Sequence, residues 1–375
     1  MRIQPPTTNA SCGYWMSDSQ HQHWMQQALA LAARGRYTTW PNPRVGCLLV
    51  RGGQIVGQGY HQSAGEPHAE VFALREAGAN ARGATVYVTL EPCSHHGRTP
   101  PCADALIEAG VAKVVVAMQD PDPRVSGRGM ERLRQAGIEV ITGVAEQDAL
   151  DLNRGFVSRI NRARPWVRLK LACSLDGRTA MASGESQWIT GPEARADVHH
   201  WRAASDAVIT GSGTVLADDP QLLARNIDAE CRQPLRLVAD SRWRTPANAQ
   251  VLQAEPAWLV GCGEPPPELA ERTRCLSLPG VAGRVDLAAL LAALNEAEIG
   301  ELLVEAGAGL AGGFLQAGLV DELLLYQAPM LLGHEAKPLV NLPGLETLAQ
   351  APRFQVVDTL RLGNDLRWRL LMESH

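Results

Sequence analysis

Four side chains, His68, Glu70, Cys93 and Cys102, limit what this chain can fold into, because segments distant in sequence have to meet at one point. His68-Ala69-Glu70 supplies an imidazole and a carboxylate two residues apart, and Pro92-Cys93 with Cys102 supplies two thiols nine positions apart. One imidazole and two thiolates are ligands that zinc accepts. Three protein ligands leave its fourth tetrahedral position open to water, as a catalytic site requires and a structural site does not. Glu70 is not needed as a ligand and lies close enough to His68 to carry protons to and from that water. Plainer readings stand beside this one. A histidine next to an acid is common, two cysteines in a loop can be ordinary buried thiols, and His95 or His96 as a fourth ligand would close the site.

The order of elements permits the convergence. The 375 residues, 45% hydrophobic and 20% charged, suffice for two cores. Asp18 to about Arg34 reads as a helix stopped at Gly35, and Val45–Val50 with Gln54–Tyr60 as a hairpin turning at Arg51-Gly52-Gly53. Pro67 is placed to open a helix carrying His68 and Glu70 in its first turn. The β-branched run Thr85–Leu90 reads as a buried strand ending just before Cys93. Ala103–Ala109, Lys113–Met118, Gly129–Ala136 and Ile138–Thr142 continue as helix, strand, helix, strand, which predicts a sheet covered by helices.

A boundary is expected near the basic stretch Asn161–Arg164 before Pro165. This gives a flexible leader over 1–17, one domain over 18–162 and a second over 163–375. In the second, strands are expected at Trp166–Ala172, Ala207–Thr210, Leu235–Ala239, Trp258–Val260, Leu302–Val304 and Leu323–Tyr326. Helices are expected at Pro192–Ala203, Leu287–Ala297 and Leu310–Ala317. The fold class is α/β in both halves.

Several function classes are disfavoured. A net charge of −5 and 5% aromatic residues argue against a broad nucleic-acid surface. Eight scattered cysteines do not make a disulfide framework and point to a reducing compartment. The first twenty residues lack the apolar segment of a signal peptide, and no apolar run is long enough to span a bilayer. A cytoplasmic protein acting on small molecules, with no membrane or nucleic-acid partner, is expected.

His-x-Glu followed by Pro-Cys and a second cysteine is the pattern of zinc-dependent nucleobase deaminases, although that pattern sets its cysteines three positions apart. The stretches Pro41-Asn42-Pro43-Arg44-Val45-Gly46, Gly65-Glu66-Pro67-His68-Ala69-Glu70 and Thr89–Cys102 resemble the bifunctional riboflavin-biosynthesis deaminase/reductase family, in which the long insertion between the cysteines is itself a mark. The resemblance implies a cytidine-deaminase-like α/β/α domain. Its zinc ligands would be His68, Cys93 and Cys102, its proton shuttle Glu70, and its substrate contacts Asn42, His61, His95 and Arg98. Arg98 stands where some members have lysine; either cation suits a phosphate, with different geometry. Asp120 and Asp122 read equally as substrate loop or as a turn around Pro121 and Pro123.

The likeness continues through Leu169–Arg178, Ser186–Thr190, Thr214–Pro220 and Val304–Gly307, and implies a dihydrofolate-reductase-like α/β domain that uses NADPH. No G-x-G-x-x-G follows a first strand, so a Rossmann reading is weak. By resemblance, Ala172, Trp188, Thr214, Asp218, Ser241 and Gly307 would line the NADPH site. Ser186, Arg202, Leu222, Arg225 and Glu305 would contact a ribosyl phosphate, while Lys170 and Asp176 would assist without an assigned step. The implied reactions are hydrolytic deamination of a phosphoribosylamino diaminopyrimidine and reduction of its ribosyl group to ribityl. The cofactors are Zn2+ and NADPH, and a homo-oligomer is expected. Two rival readings are a nucleic-acid deaminase with a binding domain, and a structural zinc fold joined to a nucleotide-sensing module.

Overall fold

The computed structural model describes residues 18–94, 101–254 and 256–373. The leader 1–17, His95, His96 and Arg98 therefore lie outside the described residues. Contacts divide the chain into two compact units. The first holds the described residues up to Ala33 together with Val45–His61 and Pro67–Ala149, and the second holds Arg34–Arg44, Gln62–Glu66 and the chain from Leu150 onward.

The first unit is built on five strands: β1 (Gly46–Arg51), β2 (Gln54–Tyr60), β3 (Thr85–Leu90), β4 (Lys113–Met118) and β5 (Glu139–Thr142), in the order β2-β1-β3-β4-β5. β1 pairs antiparallel with β2 and β3, whereas β3, β4 and β5 run parallel. Parallel neighbours need crossovers, and helices supply them. The helices are α1 (Asp18–Ala32), α2 (Ala69–Ala77), α3 (Cys102–Ala109), α4 (Arg128–Gln135) and α5 (Glu146–Leu152), the last crossing from one unit into the other. Cys47 and Leu49 of β1, Val86 and Val88 of β3 and Val114 and Val116 of β4 meet Ala69, Ala73, Ala103, Leu106 and Leu133 in one core.

Helix α2 lies directly on β2. A Cβ on Gly57 would fall 2.2 Å from the Ala73 carbonyl oxygen, and one on Gly59 would fall 2.5 Å from that of Ala69. This floor of bare backbone fixes the height of the helix that carries Glu70. The helix starts two residues later than Pro67 suggests. His68 is extended (φ −71°, ψ 161°) and occupies the cap position, with Glu70 second in the helix.

The second unit begins with α6 (Arg154–Arg162), β6 (Trp166–Cys173), β7 (Arg178–Ala180), α7 (Pro192–Ala204), β8 (Ala207–Gly211) and α8 (Ser212–Asp218). It continues with β9 (Leu235–Ala239), β10 (Ala257–Gly261), α9 (Pro267–Ala270), β11 (Arg274–Ser277), β12 (Gly280–Val281), β13 (Arg284–Val285) and α10 (Leu287–Glu296). It ends with β14 (Glu301–Glu305), α11 (Ala308–Gln316), β15 (Glu322–Gln327), β16 (Lys337–Pro338), β17 (Phe354–Leu362) and β18 (Asp365–Met372). Nine strands form one sheet, ordered β11-β10-β9-β8-β14-β6-β15-β18-β17. The run from β11 to β15 is parallel, and β18 and β17 are added antiparallel.

One face of this sheet is apolar, with Leu169, Ile209, Leu302, Val304 and Phe314 in a single core. The opposite face, under α7, mixes Val198, Trp201, Leu303 and Leu324 with buried charges. Arg168 on β6 bonds Glu301 on β14 at 3.0 Å and Glu322 on β15 at 3.1 Å, with its guanidinium 4.7 Å from the centre of the Trp201 ring. Arg44 reaches Glu301 at 2.7 Å, and Arg369 reaches Glu322 at 2.5 Å. Such clusters add little net stability against an apolar alternative, but removing one partner strands a buried charge.

Candidate active sites

In the first unit the strand end, the cap of α2 and the start of α3 bring three donors together. One ligand atom each from His68, Cys93 and Cys102 lies within 4.8 Å of the other two. His68 Nδ1 is 3.2 Å from Cys102 Sγ and 3.7 Å from Cys93 Sγ, while the Cys102 amide donates to Cys93 Sγ at 3.3 Å. Two thiols and one imidazole pointing at a common centre, with no carboxylate among them, are the donor chemistry zinc favours. The residues fit the ion. The neighbouring Cys102 thiol, aided by His68, outweighs burial and holds the Cys93 thiol down at about 4. Cys93 in turn draws the His68 imidazole up to about 9 against burial, and Cys93 and burial together push Cys102 well above the ordinary thiol value. The trio is thus an electron-rich centre ready to exchange protons for a cation.

Glu70 is 3% exposed, and burial pushes its carboxyl above the usual range even though His68 pulls the other way. A carboxyl shifted in that direction is better matched to proton transfer near neutrality. His61 is buried, with Nδ1 3.2 Å from the Pro67 carbonyl oxygen and its ring centre 5.9 Å from that of His68. Asn42 is exposed and belongs to the second unit. Asp120 and Asp122 form a turn, in which Asp120 accepts from the Asp122 amide at 2.8 Å and Asp122 from the Arg124 amide at 2.9 Å.

Glu91 escaped the sequence reading. Its buried carboxylate accepts from the amides of Gly127 and Gly129, both at 2.9 Å, and from that of Asp120 at 3.3 Å. It thereby ties the loop after β4 to the segment that presents Cys93. A Cβ on Gly129 would fall 1.9 Å from the Pro92 carbonyl oxygen, so only glycine fits there. The one signal in the sequence is an acid directly before Pro92-Cys93.

In the second unit, Arg202 on α7 grips Glu305 at the end of β14 through two bonds of 2.6 and 2.9 Å, and donates to the Leu223 carbonyl at 3.2 Å. Lys170 lies opposite Glu305 in the register of β6 and β14. Burial lowers its ammonium pKa and Arg202 lowers it further, against Glu305. Leu222 is buried in a left-handed conformation (φ 55°), and Arg225 is exposed and bonds Gln221 at 3.4 Å. Arg202, Glu305 and the 221–225 turn are therefore brought together, while Ser186 is partly buried and makes no hydrogen bond to them.

Of the expected NADPH contacts, Gly307 caps α11, and a Cβ there would meet Thr214 Oγ1 at 3.9 Å. An open helix N-terminus beside a hydroxyl suits a diphosphate, so these residues fit a dinucleotide. Ser241 accepts from the Val285 amide at 2.9 Å, and Asp218 is exposed at the end of α8. Trp188 is 66% exposed with Arg195 stacked 4.5 Å from its ring centre, and Ala172 is partly buried on β6. Asp176 binds the amides of Leu332 and Gly333 at 3.1 and 2.8 Å, which fastens the loop after β6.

Comparison with known proteins follows the same division. Residues 18–118 match the cytidine and deoxycytidylate deaminase zinc-binding region, and residues 165–367 match the RibD C-terminal domain. The riboflavin biosynthesis protein RibD of Escherichia coli is 54% identical over 359 residues, covering 92% of this chain and 98% of that protein. A solved structure of Acinetobacter baumannii RibD is 49% identical with a TM-score of 0.89, covering 96% of this chain and 100% of that one. A second solved structure is a diaminohydroxyphosphoribosylaminopyrimidine deaminase/5-amino-6-(5-phosphoribosylamino)uracil reductase from Thermotoga maritima. It is 33% identical with a TM-score of 0.85, covering 95% and 99%.

Proposed function

As the chain belongs to the RibD family of riboflavin-biosynthesis proteins, and is accordingly a bifunctional deaminase and reductase, we propose the following division of labour among its residues. The deaminase domain spans 18–162 and the reductase domain 163–375, and the two matched segments fall on either side of that division. The enzyme removes the amine of 2,5-diamino-6-(5-phosphoribosylamino)pyrimidin-4(3H)-one, then reduces the ribosyl group of the resulting uracil to ribityl. Bound zinc supplies an acidified water, with a pKa lowered to about 7, and bound NADPH supplies the two electrons of the reduction.

His68, Cys93 and Cys102 hold the metal. Glu70 takes a proton on its carboxylate and delivers it to the departing amine. Asn42, His61 and His95 orient the pyrimidine, and Arg98 meets the substrate phosphate. In the reductase domain Ser186, Arg202, Leu222, Arg225 and Glu305 bind the ribosyl phosphate, with arginine suited to bidentate contact with phosphate oxygens. Ala172, Trp188, Thr214, Asp218, Ser241 and Gly307 line the dinucleotide site. Among the described residues no helix is long and apolar enough to cross a membrane. We place the enzyme in the cytoplasm as a homo-oligomer acting on small molecules and not on nucleic acid.

The observation that carries this reading is the convergence of three soft donors beside a buried carboxyl that none of them needs. Glu70→Gln tests it. Ammonia release should fall by about 10²- to 10⁴-fold, with zinc content by metal analysis and NADPH oxidation on the deaminated substrate both unchanged. Undiminished ammonia release would remove Glu70 from the chemistry.

A further inference from the structure

Helix α7 presents two side chains, one turn apart, to the 221–225 turn. Arg202 Nη1 donates to the Leu223 carbonyl at 3.2 Å, and His199 Nδ1 lies 3.1 Å from the same oxygen. A carbonyl oxygen only accepts, so Nδ1 carries the hydrogen, and Nε2 is the nitrogen left to gain or lose a proton. His199 is partly buried, and its Nε2 has no hydrogen-bond partner among the described residues. The turn it faces is fixed. Leu222 is buried at φ 55°, and Ala224 exchanges two bonds of 2.9 Å with the Gln233 side chain, one through its amide and one through its carbonyl.

The charged groups that act on this imidazole come from three elements: Arg202 from its own helix, Arg225 from the turn and Glu305 from the end of β14. Burial and then Arg202 lower its pKa below the ordinary value, and Arg225 adds to them; the Leu223 bond and Glu305 pull the other way without prevailing. With no anion beside it, His199 is therefore mostly neutral at pH 7.

A ribosyl phosphate in this turn changes that balance. Glu305 neutralises Arg202 through bonds of 2.6 and 2.9 Å, whereas Arg225 bonds the neutral Gln221 at 3.4 Å and makes no ion pair among the described residues. Lys170, opposite the same carboxylate in the strand register, is disfavoured as a cation by burial. The turn thus offers one guanidinium that no carboxylate opposes, while a phosphate monoester carries close to about two negative charges at neutral pH. A dianion next to Arg225 favours the imidazolium that the arginines alone disfavour, and Nε2–H can then make a charge-assisted hydrogen bond.

We propose that His199 is a further phosphate-binding residue of the reductase domain, which takes up a proton from solvent at Nε2 as the ribosyl phosphate binds and donates a hydrogen bond to a phosphate oxygen. The inference rests on the reading that Arg202 and Arg225 hold that phosphate, and the experiment separates the two. The contribution of His199 is complete below the imidazole pKa of the free enzyme and is lost as pH rises through its higher value in the complex. The full chain, saturated with NADPH, is assayed by NADPH oxidation on the deaminated ribosyl substrate from about pH 6 to about pH 8.5, as wild type, His199→Asn and Arg225→Gln. Asparagine places an amide nitrogen where Nδ1 stands, keeping a donor for Leu223, and removes the titrating nitrogen. The ratio of the His199→Asn KM to that of wild type should be about 10 at the acid end and within about twofold of unity at the alkaline end, with kcat changed by less than about twofold. The second ionisation of the phosphate, near about pH 6, cancels in that ratio. A ratio that stays constant or rises with pH overturns the inference, because a merely structural loss weakens binding at every pH. Arg225→Gln should raise KM about 10-fold or more across the range. An unchanged KM in that variant would overturn the underlying reading as well, whereas a raised KM beside a flat His199→Asn ratio would overturn the proton uptake alone. Should His199→Asn fail to fold, His199→Gln, which removes the same titrating nitrogen, is judged by the same ratio.

Discussion

Glu70 of the first unit and the pair Glu301 and Glu322 of the second are all buried carboxyl groups, and their surroundings treat them in opposite ways. Glu70 in the first is 3% exposed; Glu301 and Glu322 in the second are 6% and 0% exposed. Burial pushes all three upward. For Glu70 that push prevails, whereas for Glu301 the guanidinium groups of Arg44 and Arg168 override it and hold the carboxyl at about 2, and Arg168 and Arg369 do the same for Glu322. The neighbours decide, not the depth. Burial without an arginine clamp shifts the Glu70 carboxyl toward its protonated form, whereas Glu301 and Glu322, set between arginines, are held as anions that tie β6, β14 and β15 together. The same residue type is thus proposed as the proton carrier at Glu70 and is a structural anion at Glu301 and Glu322.

The strongest way to break this comparison is to remove the clamp. Arg168→Leu leaves Glu301 and Glu322 buried with one cation fewer, and should cost about 3–5 kcal/mol of stability in denaturant unfolding followed by circular dichroism. A loss below about 1 kcal/mol would mean that the cluster is better solvated than its geometry implies.

Acid sharpens the comparison with a smaller effect. Glu301 and Glu322 have folded-state pKa values depressed below those of an unfolded chain. Their contribution is complete above about 4.5 and is lost as pH falls through about 2. At pH 3.5 a loss of about 1–3 kcal/mol relative to pH 6 is expected, and it should largely vanish in a Glu301→Gln/Glu322→Gln background. A loss of equal size in that background would place the acid sensitivity elsewhere.

The first site was legible because its chemistry sits in short consecutive motifs. His68 and Glu70 share one helix start, and Cys93 follows a β-branched strand whose predicted limits, Thr85–Leu90, are those observed. The second unit disclosed less. Leu235–Ala239 and Pro192 onward were readable, but the hairpin of β17 and β18 was not, because β17 is an edge strand with mostly exposed residues and no buried alternation. The basic stretch Asn161–Arg164 looks like a linker in sequence. In the fold α6 runs to Arg162, and Arg162 and Arg164 each bond Asp321 at 2.7 Å. Glu91 acts through backbone amides brought near by tertiary packing, and no local pattern encodes such partners.

The central claim is a metal held by one imidazole and two thiolates, with its remaining position left to solvent beside Glu70. X-ray absorption at the zinc edge of the purified full chain tests it most directly. Two sulfur scatterers near about 2.3 Å, one imidazole and one further light oxygen scatterer are predicted. A second imidazole, from His95 or His96, or a third sulfur would show the position closed and contradict the account.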